Sequence, residues 1–169
     1  MIREEEAGMT EQQFRQEAQR LSPTLYRIAL SILRSPFDAE DAVQEALEKA
    51  WAVCATCRLN TFPAYLMRIT VNECRNIQRH RMREQPRDTL PEQAEENALA
   101  DTQIDLKNAL DTLPDALRTP LLLKYMEGWD DRMIADALSI SSIAVRNRLH
   151  RARKKLRPLL DEKEAAHET

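Results

Sequence analysis

The chain has 169 residues, of which 43% are hydrophobic and 31% are charged, a balance typical of globular rather than disordered proteins. Only two glycines and few aromatic residues are present, which favours an all-helical fold. No apolar run approaches the roughly 20 residues of a membrane-spanning helix, and no N-terminal stretch resembles a signal peptide, so we expect a cytoplasmic protein.

The net charge of −3 is distributed unevenly along the chain. Residues 61–83 have five arginines and one glutamate, and residues 117–169 have eleven basic and eight acidic side chains. Between them, residues 84–116 have two basic and nine acidic side chains. Two basic segments separated by an acidic one predict two nucleic-acid contacts joined by a linker.

The first predicted domain covers residues 10–83 and contains three helices, preceded by a tail at residues 1–8. Thr10 and Gln13 have the spacing of a capping box, which predicts that the first helix begins there. Ser22-Pro23 predicts that this helix restarts, because proline is favoured at the first helical position.

The second helix is expected to begin at Ser35-Pro36 and to end near Val53. One of its sides is apolar and the other is rich in carboxylates. A row of carboxylates opposite an apolar stripe indicates, when considered alone, an ordinary solvated surface.

The third helix, at about 61–83, has a ridge of arginine and asparagine side chains opposite an apolar arc: Arg68, Asn72, Arg75 and Arg79. This ridge could hold a DNA backbone, with Phe62 and Tyr65 stacking on unpaired bases. A surface helix with a basic end accounts for these residues about equally well. Glu73 lies within the apolar arc, and the pattern gives no reason for it.

Residues 84–105 combine prolines with many carboxylates and lack helical periodicity, so they predict a flexible acidic linker. The second domain is predicted at residues 106–160. Within it, Asp130 is expected to cap a short helix. A tight turn at 139–141 and a last helix at about 142–160 follow, which completes a prediction of two small helical domains.

The last helix is the strongest local signal in the sequence. Its apolar residues form one narrow stripe: Val145, Leu149, Ala152 and Leu156. A short helix, a turn and a basic amphipathic helix are typical of a helix-turn-helix, in which early residues reach base edges and later cations meet phosphates. A basic helix alone would indicate a solvated face, but the preceding helix and turn favour DNA binding. The candidate DNA-binding residues here are Ser142, Arg146, Asn147, Arg148, His150, Arg151 and Lys154.

Cys54 and Cys57 have the spacing of half a zinc site or of a thiol-redox pair. No second such pair follows, and the surrounding pattern is not that of a thioredoxin-like fold, which favours two incidental reduced thiols. No phosphate-binding loop or catalytic set is present, so the sequence predicts no enzymatic activity, no metal and no cofactor.

Residues 14–83 and 106–157 together resemble the extracytoplasmic-function sigma factors of bacterial RNA polymerase, group 4 of the sigma-70 family. In the first half the resemblance is carried by the run from Asp38 to Ala46, followed by Ala50-Trp51. In the second half the most specific run is Arg148-Leu149-His150-Arg151-Ala152-Arg153. The sequence departs from the family at several places. Tyr65 stands where tryptophan is usual, Ser139 replaces a usual glycine and Met133 an expected glutamate. Asp131-Arg132 replaces an aromatic-acidic pair, and Ile143-Ala144 a small residue and threonine.

The resemblance implies an alternative sigma factor that binds core RNA polymerase, recognises −35 and −10 promoter elements and assists strand opening. It implies that the acidic helix binds the polymerase through Asp38, Asp41, Gln44, Glu45 and Glu48. It implies that the third helix engages the −10 element, where Asn76 joins Arg68, Asn72 and Arg75. It further implies an anti-sigma partner, a linker that threads a channel for nucleic acid, and a loop at 54–60 that binds a flipped base.

Two other functions remain open from the residues. One is a polymerase-independent helix-turn-helix regulator, although such proteins usually dimerise and no dimerisation helix is apparent. The other is a thiol oxidoreductase that uses Cys54 and Cys57.

Overall fold

A computed structural model describes residues 8–84 and 101–167, with side chains described for 8–84 and 106–158. Seven α-helices and one short 3₁₀ turn make up the regular structure of these residues, and no strand occurs among them. The chain divides into two compact units. The first comprises residues 8–84 and 136–139, and the second comprises residues 101–135 and 140–167. The all-helical prediction is confirmed.

Helix α1 runs from Glu11 to Leu33 and is capped as the sequence predicts. The Gln13 backbone N–H donates to Thr10 Oγ1 at 3.2 Å, and the Thr10 N–H donates to Gln13 Oε1 at 2.9 Å. Each bond satisfies one backbone donor that a helix start otherwise leaves open.

The predicted restart at Ser22-Pro23 is wrong, because α1 continues through Pro23. Ser22 Oγ donates to the Ala18 carbonyl one turn back at 2.6 Å instead of capping a new helix. Leu21 and Leu25 flank the proline and are both buried, so packing holds the helix through the one backbone bond that proline cannot make.

Helices α2, Pro36–Ala52, and α3, Phe62–Glu84, pack against α1 and against each other. Ser35 caps α2 as predicted, since its Oγ accepts from the Asp38 N–H at 3.4 Å. A short 3₁₀ turn at Cys54–Thr56 lies between the two helices. Buried alanines of α2 and larger buried side chains of α1 and α3 fill the core of this unit, among them Leu25, Ile28, Ala42, Ala46, Ala50, Leu66 and Met67.

In the second unit α4, Asp101–Asp111, and α5, Asp115–Tyr125, both pack against α7, Ser142–His167. The last residues assigned to the linker at 84–105 are therefore helical, while residues 85–100 lie outside the described part of the chain. Buried Ala109 and Leu113 anchor this part of the unit.

Two turns, at Gly128 and at Ser139, place residues in the left-handed backbone region. Gly128, with φ of +69°, follows the end of α5, where glycine adopts this conformation without strain. Ser139, with φ of +55°, follows α6, Asp131–Leu138, where a side chain costs energy. The left-handed backbone explains why glycine is usual at this turn in the family that the sequence resembles. Ser139 adopts the same conformation at a cost in energy.

Candidate nucleic-acid interface

The helix-turn-helix is formed by α6, the turn at 139–141 and α7. Asp130 caps α6 as predicted, because its Oδ1 accepts from the Met133 N–H at 2.8 Å. Ser141 Oγ accepts from the Ala144 N–H at 3.1 Å and so caps α7. Each of these helices therefore begins directly after a residue whose side chain caps it.

The predicted stripe of α7 is buried along its whole length: Val145, Leu149, Ala152 and Leu156. Three turns of one face are thereby anchored, which fixes the rotation of the helix about its axis. The opposite face is directed to solvent for the same reason. Helix α7 extends past the predicted end at 160 to His167, with Pro158 inside it.

Five of the seven predicted DNA-binding residues of α7 are exposed: Arg146, Asn147, His150, Arg151 and Lys154. The other two, Ser142 and Arg148, are half-buried at the edges of the stripe. The exposed residues lie on one side of the helix and include three cations without an intervening carboxylate. Such a surface suits the negative backbone of a nucleic acid.

Three cations near this surface have partners within the unit. Lys124 Nζ lies 2.9 Å from Asp131 Oδ1, and Arg146 Nε lies 4.0 Å from Asp131 Oδ2. Arg153 Nη1 donates to the Tyr125 hydroxyl at 3.0 Å. The sequence pattern did not suggest either acceptor, because both belong to elements that precede α7.

Helix α3 has a second polar surface, in the first unit. Asn72, Arg75, Asn76 and Arg79 are exposed along it, and Arg68 is half-buried. The Asn76 amide donates to Glu73 Oε2 at 3.5 Å. The residues predicted for the −10 element thus lie on one helix at helical spacing.

The base-stacking role predicted for Phe62 is wrong. Its side chain is fully buried, and its ring lies 5.5 Å from that of Phe14, edge to face. Phe14 makes a similar contact with Trp51, whose ring centre is 5.0 Å away. Phe62 therefore belongs to an aromatic cluster of the core, whereas Tyr65 remains partly exposed.

Glu73, which the sequence pattern did not explain, joins two helices. Its Oε1 lies 2.7 Å from Lys49 Nζ on α2. The hydrogen bond to Glu73 raises the pKa of Lys49, helped by the charges of Glu73 and Glu45, while partial burial opposes the rise. The glutamate lies on the packed side of α3 because its partner, Lys49, is on the neighbouring helix α2.

The acidic side of α2 separates into two parts. Asp41, Gln44, Glu45 and Glu48 are exposed. Asp38, by contrast, forms an ion pair with Arg81 at the end of α3, and Arg81 Nη1 also donates to the Leu33 carbonyl at 3.2 Å. Arg81 thus connects the end of α3 with the start of α2 through Asp38 and with the end of α1 through the Leu33 carbonyl.

Cys54 and Cys57 are both half-buried and free. Burial raises the pKa of the Cys57 thiol, and the neighbouring Cys54 adds to the rise. Reactive cysteines require the opposite shift, toward the thiolate. Within the described residues, no cluster of three or more His, Cys, Asp or Glu side chains could hold a metal ion.

None of the helices in the described part of the chain combines the length and apolar character that a membrane span requires.

Comparison with known proteins follows the division into two units. Residues 18–84 match the model of sigma-70 region 2, and residues 103–156 match that of sigma-70 region 4. A region 2 unit followed by a region 4 unit with a helix-turn-helix defines the class of sigma-70 factors.

Similarity to named relatives identifies the family within this class. The ECF RNA polymerase sigma factor SigE of Mycolicibacterium smegmatis is 32% identical over 86% of this chain and 59% of its own length. RNA polymerase sigma factor SigV of Bacillus subtilis is 30% identical over 78% of this chain and 81% of its own. The chain belongs to the extracytoplasmic-function sigma factor family.

A solved structure supports the same fold. The sigma factor RpoE, crystallised with the anti-sigma factor NepR from Bartonella quintana, superposes with a TM-score of 0.70 at 28% identity. The superposition covers 88% of this chain and 96% of that one. The chain spans less than two thirds of the length of SigE.

Proposed function

We propose that this protein is an alternative sigma factor of group 4, which binds core RNA polymerase and directs it to promoters with −35 and −10 elements. It acts without enzymatic activity or a cofactor of its own, in the cytoplasm. One observation carries the proposal: a helix-turn-helix with an exposed cationic surface follows, in one chain, a region 2 unit that has an exposed ridge of its own. The proposed domains are built on residues 10–83 and 106–160, with α4 extending the second domain back to Asp101.

At the −35 element, α7 would lie in the major groove. Arg146 and Asn147, near its start, are the exposed polar side chains best placed to reach base edges. Arg151 and Lys154, one to two turns later, would meet phosphates. Ser142, Arg148 and His150 would complete this contact.

At the −10 element, the ridge of α3 would contact DNA as its strands separate. Its guanidinium groups suit phosphates, and its amides suit the hydrogen-bonding edges of unpaired bases. The residues are Arg68, Asn72, Arg75, Asn76 and Arg79. Favourable contacts made only with separated strands would shift the promoter toward the open form.

The exposed acidic side of α2 would bind a basic surface of the polymerase. Asp41, Gln44, Glu45 and Glu48 supply acceptors that are directed to solvent. Gln44 Nε2 donates to Glu48 Oε1 at 3.0 Å, and Glu45 Oε2 lies 3.8 Å from Lys49 Nζ. These exposed contacts are weak, so a partner could displace them at little cost. Asp38 would support this surface through its ion pair with Arg81.

An anti-sigma factor would regulate the protein by binding it in place of the polymerase. RpoE was solved in complex with the anti-sigma factor NepR, and CnrH, a second solved structure, in complex with the cytosolic domain of CnrY. The likeness to both supports a partner of this kind.

The test is reconstitution with core RNA polymerase. The full chain is mixed with core enzyme, the complex is isolated by gel filtration, and transcription is measured from a library of promoters randomised at −35 and −10. We expect a one-to-one complex that initiates at a subset of sequences, none of which core enzyme uses alone. Sequence-specific binding of the free chain as a dimer, without association with core enzyme, would instead establish a polymerase-independent regulator.

A thiol oxidoreductase is disfavoured by the raised pKa of Cys57. Replacing Cys54 and Cys57 with serine gives the matched control for a redox assay of the free chain. Thiol–disulfide exchange by the wild type that is lost in this variant would contradict the proposed independence from thiol chemistry.

A further inference from the structure

Asp131, the first residue of α6, lies between two cations of the helix-turn-helix. Its Oδ1 is 2.9 Å from Lys124 Nζ at the end of α5, and its Oδ2 is 4.0 Å from Arg146 Nε on α7. One carboxylate thereby approaches both the preceding helix and the base-reading end of the recognition helix. This residue is also one of the positions at which the sequence departs from the family, where an aromatic residue is usual.

The atoms involved determine what Arg146 can do. A guanidinium has five N–H donors, and the one nearest Asp131 is on Nε. The two terminal nitrogens therefore stay available for another acceptor pair. Arg146 is 68% exposed, so those nitrogens face solvent rather than protein. A guanidinium held in this way presents the fork that reads guanine through O6 and N7.

Lys124 explains how the carboxylate of Asp131 is tolerated close to the proposed DNA-binding surface. An isolated negative charge close to DNA would repel the phosphates. The lysine ammonium, in direct contact with Asp131, offsets this charge while the carboxylate still attracts Arg146. Only 30% of the Asp131 side chain is exposed, which restricts its own rotamers and keeps its carboxylate between the two cations.

We propose that Asp131 is a positioning residue that holds Arg146 in the orientation needed to read a guanine in the −35 element. The inference rests on the proposed function and specifies it, since it names a G·C pair as the base that α7 reads at this position. Asp131 acts through Arg146 and does not itself contact DNA.

The test is a double-mutant cycle in the reconstituted holoenzyme. The wild type, Asp131→Asn, Arg146→Ala and the double variant are compared on −35 libraries, and the preference for guanine over the other bases is measured at each position. We expect Arg146→Ala to reduce the preference at one position by roughly fivefold or more. Asp131→Asn should reduce it at the same position by about two- to fivefold, the range of an exposed ion pair.

The decisive comparison is made in the Arg146→Ala background. If Asp131 acts through Arg146, adding Asp131→Asn there should change no base preference further. A preference ratio is measured among DNA sites for one protein, so a loss of folded protein cancels out of it. Asp131→Glu, which keeps the charge, should retain part of the preference.

Asp136→Asn is the matched control, because Asp136 is an exposed aspartate on the same helix. This variant should leave every base preference unchanged. Equal strengthening of all sites by Asp131→Asn would show simple charge repulsion and overturn the inference. So would an effect of the same size in the presence and absence of Arg146.

Failure of the two proposals would be distinguishable. If the wild type shows no −35 preference with core enzyme, the proposed function is wrong. If Arg146→Ala abolishes a preference for guanine but Asp131→Asn leaves it intact, only the positioning role is wrong. A preference lost in Arg146→Ala for a base other than guanine would overturn the base assignment.

Discussion

The salt dependence of promoter binding should separate the two parts of α7. Arg151 and Lys154 are exposed, lie beyond the start of the helix, and have no ion pair among the described residues. Each is therefore available to replace a counterion on a phosphate. Replacing either residue with alanine should weaken binding to all −35 sequences alike.

The magnitude follows from counterion release. One phosphate contact contributes about 0.9 to the slope of log K against log salt concentration. Each prediction concerns the ratio of the wild-type association constant to that of the variant, as salt rises fourfold from about 50 to about 200 mM. For a variant that lacks one contact, this ratio should fall by about 3.5-fold. For a variant that lacks both contacts, it should fall by about twelvefold.

The assay is equilibrium binding of holoenzyme to a fluorescent promoter fragment across this range of salt. Asn147→Ala serves as the control, because Asn147 is exposed one turn before Arg151 and carries no charge. It should leave the slope unchanged and lower the preference at one −35 position by about 1–3 kcal/mol. An unchanged slope in Arg151→Ala and Lys154→Ala, together with an altered −35 preference, would show that α7 lies in the groove differently.

Three further predictions follow from the other surfaces. Replacing Asp41, Glu45 and Glu48 with lysine should abolish assembly with core polymerase in gel filtration. The circular dichroism spectrum should be unchanged, because all three side chains are exposed. If the variant assembles as well as the wild type, this surface is not part of the interface. Arg75→Ala should slow strand opening more than duplex binding, and a pre-melted −10 bubble should rescue it; an equal loss on both templates would indicate a plain phosphate contact. Ser139→Gly should stabilise the helix-turn-helix by about 1 kcal/mol, because glycine relieves the left-handed backbone. The Tm of this small domain should rise by about 4–8 °C, and a lower Tm would refute this reasoning.

The parts of the fold that depend on residues close in sequence could be predicted. The caps at Thr10, Ser35 and Asp130 are confirmed, because each needs only a side chain within about one turn of the N–H that it accepts from. The buried stripe of α7 is confirmed for a related reason, since a helical period alone determines which residues share a face.

The parts that depend on tertiary packing could not be predicted. Ser22-Pro23 reads locally as a helix start, but burial of the leucines on both sides of the proline keeps α1 continuous. Phe62 reads as an aromatic residue near a basic ridge, yet it lies in the core against Phe14. In both cases the local pattern was sound, and contacts with other helices determined the result.

For the acidic surface of α2 as well, the sequence could not show which charged residues have partners on other helices. Asp38 and Asp41 lie one turn apart on a helix and look equivalent in the sequence. Asp38 pairs with Arg81, whereas Asp41 is exposed, so only the second is free to change its partner without disturbing the fold. Charge reversal at Asp38 would place a cation against Arg81 and disconnect the ends of α2 and α3. A loss of polymerase binding in that variant would therefore not identify a contact, which is why the acidic surface must be tested through the exposed residues alone.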